Sequence, residues 1–285
     1  MKDKLKLMCI LAHPDDETLG TGGTLARYAA EGVETHVVTA TRGERGWPGR
    51  ADEYPGQAEL GRLREAELRA AARELGVESV RFLDYVDGDL DQADTREALR
   101  RIVVELRRVR PRVVVTFAPD GGYGHTDHIA ISQLATTAVA CAADAAFEVA
   151  GDEPTHLVSK LYYMAWPASQ VELYVGLFGE IVMSFDGVER RVAPWPDWAV
   201  TTWIDAEEHW QTVWRAVGCH RSQIPDLGVF SRLSESQHRV VWGRQCYYRA
   251  MSTVNGGRRR ETDLFEGLRN TVSGADQAAP EGDVQ

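Results

Sequence analysis

Short apolar runs alternate with helical periodicity along the first 165 residues of the chain. Apolar and β-branched residues concentrate in runs that predict β-strands at residues 5–12, 34–40, 79–84, 112–118 and 159–165. Between these runs, the spacing of apolar positions predicts helices at residues 18–30, 57–75, 95–109 and 128–143. Strands that alternate with helices form βαβ units, so the pattern predicts an α/β fold with a mostly parallel sheet.

The pattern changes after about residue 166. Two short runs at residues 181–185 and 188–192 flank the turn sequence Asp186-Gly187 and predict a β-hairpin. Further along, one helix is expected to end near Cys219 and another to span residues 234–251. We therefore predict a catalytic domain at residues 1–165, a smaller C-terminal cap at residues 166–271 that completes the site, and a disordered tail at residues 272–285.

The composition narrows the class of protein. The chain has 285 residues, of which 44% are hydrophobic, and this is enough to bury a full core. A formal net charge of -11 disfavours a nucleic-acid partner, because such binding needs a basic face. We expect no membrane partner and a cytoplasmic location, since neither a long apolar stretch nor a cleavable leader pattern occurs. The cysteines form no CxxC pair, which fits a reducing compartment.

The first candidate site follows the first predicted strand, where the chain reads AHPDDE at residues 12–17. His13 and Asp16 are three positions apart across a proline turn, so their side chains can converge on one point with Asp15 close by. A histidine nitrogen and a carboxylate oxygen are good Zn²⁺ ligands, and a third ligand would leave the fourth position for water. The alternative is a turn in which Asp15 or Asp16 only caps the following helix.

The second candidate site is the stretch GGYGHTDH at residues 121–128, directly after the fourth predicted strand. Its glycines let the backbone approach a ligand closely. His125 and His128 flank Asp127, a carboxylate that can orient one of the two rings. A lone histidine here would more often be structural, but two within four residues at a strand end indicate a site.

The predicted topology brings the two stretches together. In a Rossmann-like sheet with the strand order 3-2-1-4-5, the loops after strands one and four diverge where the strand order reverses. Open α/β sheets bind ligands at this point. Both stretches follow these two strands, so we expect their ionisable side chains to form one site.

Together the two stretches resemble the motifs of the PIG-L/LmbE family of zinc-dependent de-N-acetylases, which includes enzymes of glycosylphosphatidylinositol, mycothiol and bacillithiol synthesis. The resemblance covers residues 5–145, and the family motifs AHPDDE and HxDH are both intact. It implies one Zn²⁺ per chain, with other divalent ions such as Fe²⁺ also compatible, and it implies that the metal ligands are His13, Asp16 and His128.

The resemblance also implies the catalytic residues. Asp15 matches the general base, and His125 matches the residue that stabilises the oxyanion or protonates the leaving amine. Asp127 would orient His125, and Tyr123 matches a mobile tyrosine that helps to stabilise the transition state in the mycothiol branch. The chain has no GxSxG elbow, which weighs against a serine hydrolase.

Three further residues have both a functional and a structural interpretation. Arg64 matches a family RxxEL element whose arginine contacts substrate in the mycothiol branch, but it could also be a surface arginine in an i,i+3 charge pair. Glu44 follows the second predicted strand at the same rim of the sheet, where it is a candidate substrate contact or a solvated loop acid. His220 resembles the start of an HxSQ element seen late in many family members, and the alternative is a structural histidine at a helix end.

The expected function is zinc-dependent removal of an N-acyl group, most simply acetyl, from a small amino sugar or its conjugate. Two alternatives stay open at this point: cleavage of a mycothiol S-conjugate amide, and a catalytically idle module that binds a sugar or a metal. The sequence identifies neither the substrate nor the oligomeric state. A homo-oligomer is compatible with it.

Overall fold

The first half of the chain forms parallel strands joined by crossover helices. The structure is a computed structural model that describes residues 4–180, 182–185, 187–257 and 259–269. In chain order, the elements of this half are β1 (Lys6–Leu11), α1 (Asp16–Ala30), β2 (Glu34–Thr41), α2 (Gln57–Leu75), β3 (Ser79–Tyr85), α3 (Thr95–Val109), β4 (Val113–Thr116), the single turn α4 (Gly121–Gly124), α5 (Thr126–Ala143) and β5 (Lys160–Met164).

Local sequence explains where these elements lie and stop. Residues 7–11 of β1 are fully buried because helices α1 and α5 both pack against this central strand. Helix α2 ends at Gly76, whose φ of 74° is one that L side chains rarely adopt. Helix α3 begins after Asp94, whose side chain accepts a hydrogen bond from the backbone N–H of Glu97. The predicted strands and helices of this half agree with the observed ones to within a few residues at each end.

The central sheet has seven strands in the order β3-β2-β1-β4-β5-β9-β8. Strand β1 pairs in parallel with both β2 and β4, β3 continues in parallel from β2, and β5 does so from β4. The predicted α/β fold and the strand order 3-2-1-4-5 are therefore confirmed. The order reverses between β1 and β4, so the loops after these two strands meet at one edge of the sheet.

The second half of the chain adds two antiparallel strands to the same sheet. Its elements are α6 (Ala168–Phe178), β6 (Val182–Phe185), β7 (Val188–Arg191), β8 (Thr202–Asp205), α7 (Trp210–Val217), α8 (Glu235–Gly243) and β9 (Arg244–Ser252). Strand β9 pairs with β5 on one side and with β8 on the other. Strands β6 and β7 form the predicted hairpin, although Ile181 and Asp186 lie outside the described residues.

The prediction of one continuous helix at residues 234–251 is wrong in its second half. The helix ends at Gly243, where a Cβ atom would lie only 2.8 Å from the backbone of Glu207, so a side chain cannot fit. The chain then becomes strand β9, in which Cys246 and Tyr247 are buried between β5 and β8. Pairing on both sides supplies backbone hydrogen bonds that local helix propensity cannot offset.

The two halves share one hydrophobic core. Val213 of α7 and Trp242 of α8 belong to the same buried cluster as Leu25 of α1, and α7 packs on both α1 and α2. The boundary between residues 165 and 166 stays a prediction, and the tail at residues 272–285 lies outside the described residues. Within the described ranges, no helix combines the length and the apolar character that crossing a bilayer requires.

Candidate active site

The two predicted stretches meet at the carboxyl edge of the sheet. The turn after β1 carries His13 and Asp16, and the N-terminal turn of α5, which follows β4, carries His128. The glycine-rich stretch between β4 and α5 packs tightly. A Cβ atom at Gly121 would lie 3.0 Å from the Cβ of His128, and one at Gly122 would lie 2.6 Å from the ring of Trp166. Both glycines also have positive φ, so this close approach of the backbone depends on glycine.

His13, Asp16 and His128 form a three-residue cluster that can hold a metal ion. Nδ1 of His13 lies 3.2 Å from Nε2 of His128, and the Asp16 carboxylate lies 3.6 Å from Nε2 of His128 and 3.9 Å from Nδ1 of His13. In a tetrahedral zinc site with bonds of about 2.0–2.1 Å, neighbouring ligand atoms are about 3.3 Å apart. The spacing of these three atoms fits such a site, and their side chains are at most 10% exposed.

Hydrogen bonds orient each ligand toward the centre of the cluster. Nδ1 of His128 donates to the backbone oxygen of Gly121, at 3.1 Å, which leaves Nε2 free to bind a metal. Nε2 of His13 lies 3.1 Å from Asp127 and 3.0 Å from Asp87, which leaves Nδ1 as the atom that can bind a metal. The Asp16 carboxylate accepts from the backbone N–H of His13 at 2.8 Å. Both histidines therefore have their second ring nitrogen on an oxygen acceptor, as metal-binding histidines generally do.

The charges of the cluster favour a cation at its centre. Burial raises the pKa of Asp16 to about 7, against the opposing effect of His13. Burial alone would lower the pKa of His13, but hydrogen bonds to Asp127 and Asp87 raise it to about 10. Burial and the neighbouring His13 hold the pKa of His128 well below its ordinary value. The cluster therefore retains protons that a metal ion would displace.

Asp15 lies beside this cluster in an unusual backbone conformation. Its φ is 114°, and among the described residues only Asp84 and Arg110 share a positive φ without being glycine. Its side chain is 20% exposed, and its Oδ2 accepts a hydrogen bond from Nη2 of Arg64 at 3.2 Å. Burial raises the pKa of Asp15, although Arg64 opposes this shift. The Asp15 carboxylate thus contacts the Arg64 guanidinium and is also open to the cleft described below.

Arg64 is a buried residue that supports the turns around the site. Only 4% of it is exposed. Besides its contact with Asp15, it donates to the backbone oxygens of Pro14, at 2.6 Å, and Gly43, at 2.8 Å. The surface interpretation of Arg64 is therefore wrong, and a substrate contact by this residue stays a prediction.

Asp127, which is expected to orient His125, has its carboxylate against His13. Its carboxylate, which is fully buried, accepts from the backbone N–H groups of Gly88, at 2.8 Å, and Leu90, at 3.1 Å, and lies against Nε2 of His13. Asp127 also contacts His125, since its backbone N–H donates to Nδ1 of His125 at 3.1 Å. The physical reason is that α5 begins here, and the His125 ring caps one of its free N–H groups. The carboxylate therefore orients His13, and its action on His125 stays a prediction.

The rings of His125 and Tyr123 lie beside the cluster of residues that can hold a metal ion. The His125 ring centroid is 4.8 Å from that of His13 and 4.9 Å from that of His128. The Tyr123 ring lies 5.1 Å from the His128 ring, and burial raises the pKa of its phenol. Both residues line a cleft of about 580 Å³. The sequence thus locates these two side chains correctly, and their catalytic roles stay predictions.

One acidic residue that was not predicted lines the cleft, and one predicted substrate contact is not among the described lining residues. Asp87, which follows β3 and was not predicted as part of the site, lines the cleft beside His13. The available signal was its position after a third strand at the same edge of the sheet. Glu44 is not among the described residues that line the cleft. Its Oε1 accepts from the backbone N–H of Asp87 at 3.1 Å, so it lies behind the site, and its contact with substrate stays a prediction.

The rest of the cleft comes from segments distant in sequence. The loop after β2 contributes Arg45 and Trp47, the β6–β7 hairpin contributes Met183, and the segment after α7 contributes Gln223. Arg45 is paired with Asp89 through two hydrogen bonds of 2.7 Å. The wall of the cleft is therefore built by both halves of the chain.

Comparison with known proteins identifies the family of the chain. Residues 8–139 match the family model described as PIG-L, GlcNAc-PI de-N-acetylase. The chain is 35% identical to a 1D-myo-inositol 2-acetamido-2-deoxy-alpha-D-glucopyranoside deacetylase of Streptomyces avermitilis, across 92% of this chain and 97% of that protein. A Rhodococcus erythropolis protein with the same name is 36% identical, across 93% and 98% of the two chains.

A solved structure with a similar fold is the N,N'-diacetylchitobiose deacetylase of Pyrococcus horikoshii. It superposes with a TM-score of 0.60 and 26% identity, over 81% of this chain and 74% of that one. The relatives align along nearly the whole chain, and the matched family region contains all three residues of the metal cluster. The chain therefore belongs to the PIG-L family.

Proposed function

We propose that the protein is a zinc-dependent hydrolase that removes the N-acetyl group from an amino-sugar conjugate. The observation that carries this proposal is the cluster of His13, Asp16 and His128, which lies at a cleft that Asp15 and His125 also line. A binding module needs neither a base nor an acid beside its metal. The arrangement therefore favours catalysis over the idle alternative.

The donor set fits a catalytic metal site. Two histidine nitrogens and one carboxylate are a ligand set of catalytic zinc, and they also suit Fe²⁺. We assign one Zn²⁺ per chain to His13, Asp16 and His128. When bound, the metal supplies Lewis-acid activation of a water molecule and of the amide carbonyl.

The side chains around the cluster supply the proton transfers. Asp15 accepts the proton of the attacking water, and the Arg64 guanidinium holds its carboxylate in place. His125 accepts the Asp127 N–H at Nδ1, so its Nε2–H donates a hydrogen bond to the developing oxyanion, and the proton that Asp15 took from the water is the one delivered to the departing nitrogen. Burial keeps the Tyr123 phenol protonated, and this gives the oxyanion a second donor.

The cleft has room for an amino-sugar conjugate. Its volume of about 580 Å³ lies within the range of about 300–1,000 Å³ that small-molecule sites occupy. The relatives from Streptomyces and Rhodococcus are named for an N-acetylglucosaminyl inositol, so we propose a substrate of this class. We further propose that residues 166–271 act as a cap that selects the aglycone, which the presence of Met183 and Gln223 in the wall supports.

The test is acetate release by the purified, zinc-loaded chain. N-acetylglucosaminyl inositol, a generic N-acetylglucosaminide and a mycothiol S-conjugate are supplied separately, and the products are identified by mass. We expect a free amino sugar and acetate from the first substrate, with His128→Ala as the inactive control. Binding of the sugar without acetate release would support the idle module, and selective cleavage of the S-conjugate would support the amidase.

A further inference from the structure

The peptide group before Asp15 is held at both of its ends. The backbone oxygen of Pro14 accepts from Nη2 of Arg64 at 2.6 Å, and the backbone N–H of Asp15 donates to Oε2 of Glu17 at 2.9 Å. These two atoms belong to one peptide plane, so rotation of that plane would break both hydrogen bonds. Asp15 has a φ of 114°, and such a conformation persists only where the surroundings impose it.

Both carboxylate oxygens of Glu17 take part in hydrogen bonds. While Oε2 faces the Asp15 N–H, Oε1 accepts from Oγ1 of Thr18 and lies 2.8 Å from Nε2 of His220. Glu17 and His220 are both 0% exposed. A buried carboxylate is stable only when it is paired and hydrogen-bonded, so His220 secures the group that holds the Asp15 backbone.

His220 belongs to a short segment that ties the two halves of the chain together. Two residues later, the N–H and the hydroxyl of Ser222 donate to Glu67, at 2.8 and 2.6 Å. Gln223 then donates to the backbone oxygen of Gly46, at 2.9 Å. His220, Ser222 and Gln223 therefore all contact the first half of the chain. Of these three residues, only His220 contacts Glu17, which accepts from the backbone N–H of Asp15.

We propose that Glu17 and His220 are positioning residues, which act on catalysis by holding Asp15 in its strained conformation. The inference rests on the proposed role of Asp15 as the general base. It differs from a purely structural interpretation, in which the buried pair only joins the two halves. Variants can distinguish the two interpretations, because a positioning role acts through Asp15, whereas a structural role does not.

The first variant is Glu17→Gln. An amide offers one oxygen where the carboxylate offers two, so it cannot accept from both the Asp15 N–H and the donors on the other side. We expect kcat to fall by about 10- to 100-fold, the scale of a misplaced catalytic group. KM for the N-acetylated amino sugar and the zinc content should stay within about twofold of wild type. Loss of zinc in proportion to the loss of kcat would overturn the inference.

The decisive measurement is a double-mutant cycle with Asp15→Asn. If Glu17 acts through Asp15, adding Glu17→Gln to Asp15→Asn should lower kcat no further, because the positioned group is already disabled. Multiplication of the two effects would overturn the positioning role while leaving Asp15 as the base. Wild-type kcat in Asp15→Asn alone would refute the role of Asp15 as the base, whereas a wild-type chain that releases no acetate would refute the proposed function, so these failures are distinguishable.

A second pair of variants tests the inference if Glu17→Gln fails to fold. His220→Gln keeps an N–H donor at about the reach of Nε2, whereas His220→Leu removes it. We expect His220→Gln to retain most of the wild-type kcat and His220→Leu to lose about 10-fold or more. Equal kcat values for the two would refute the role of the hydrogen bond. The matched control is Glu67→Gln, which weakens the neighbouring contact with Ser222 and should leave kcat within about twofold.

Discussion

Asp127→Asn distinguishes two roles of Asp127: support of His13, which the structure indicates, and support of His125, which the sequence motif suggests. The motif suggests that Asp127 serves His125, so the variant would change turnover and spare the metal. In the structure, the carboxylate instead receives the Leu90 N–H on one oxygen, and the Gly88 N–H and Nε2 of His13 on the other. Asparagine keeps the shape of this side chain but replaces one acceptor with a donor. The variant therefore acts on His13, a proposed metal ligand.

The magnitude follows from which way the new amide points. If its NH₂ group faces Leu90, a buried donor loses its acceptor, at a cost of about 1–3 kcal/mol in the free energy of unfolding. If it faces His13, the ring proton is driven to Nδ1, the ligand atom. Loss of such a supporting contact typically costs about 10- to 100-fold in metal affinity, which corresponds to about 1.4–2.7 kcal/mol. We expect the zinc Kd to rise by this factor.

The assay is competition for zinc between the protein and a chromophoric chelator at fixed pH. The matched control is Asp91→Asn, the same change on an exposed carboxylate in the loop that contacts Asp127. The control should retain the wild-type zinc affinity. A wild-type zinc affinity in Asp127→Asn, together with a loss of turnover at saturating zinc, would refute the reasoning and return Asp127 to a role on His125.

Four further outcomes are expected. His128→Ala should lose most bound zinc along with activity, because two protein ligands remain, and metal analysis checks this. Asp15→Asn should keep near-normal zinc and lose turnover by roughly 100-fold or more, as kinetics at saturating substrate would show. Gln223→Ala should raise KM by about fivefold, since one hydrogen bond to the loop after β2 is lost from the cleft wall. Glu261→Gln should lower the free energy of unfolding in urea by about 3–5 kcal/mol by leaving the fully buried Lys160 unpaired. In the wild type, burial alone would raise the pKa of Glu261, but Lys160 lowers it below its ordinary 4.5, so this contribution should be complete above that pH and fade as the pH falls below it.

Periodicity and strand-end position account for what the sequence predicts well. The apolar runs at residues 5–12 and 112–118 correspond to β1 and β4, and the rule for open α/β sheets brings the loops after these strands together. That rule is enough to place His13, Asp16 and His128 in one cluster. It depends only on the order of elements along the chain, which local pattern reveals.

Long-range pairing accounts for what the sequence does not predict. Residues 244–252 have a pattern compatible with a helix, and they become strand β9 only because β5 and β8 offer hydrogen bonds on both sides. The place of Asp87 in the site does not follow from the sequence for a related reason. Its spacing with Asp89 and Asp91 is that of an acidic loop, and its contact with His13 depends on where the loop after β3 reaches in space.

The same distinction explains why the role of His220 could not be assigned from the sequence. A histidine after a helix end has many structural uses, and its partner Glu17 lies 203 positions earlier in the chain. Burial shows that Glu17 needs a partner, which the fold supplies as His220, and the proposed variants separate a positioning role from a structural one. The sequence motifs therefore identify the groups that we propose to react, whereas contacts between the two halves hold those groups in place. Since the segment that carries His220 also contributes Gln223 to the cleft wall, the conformation of Asp15 and the shape of the substrate site depend on one stretch of backbone.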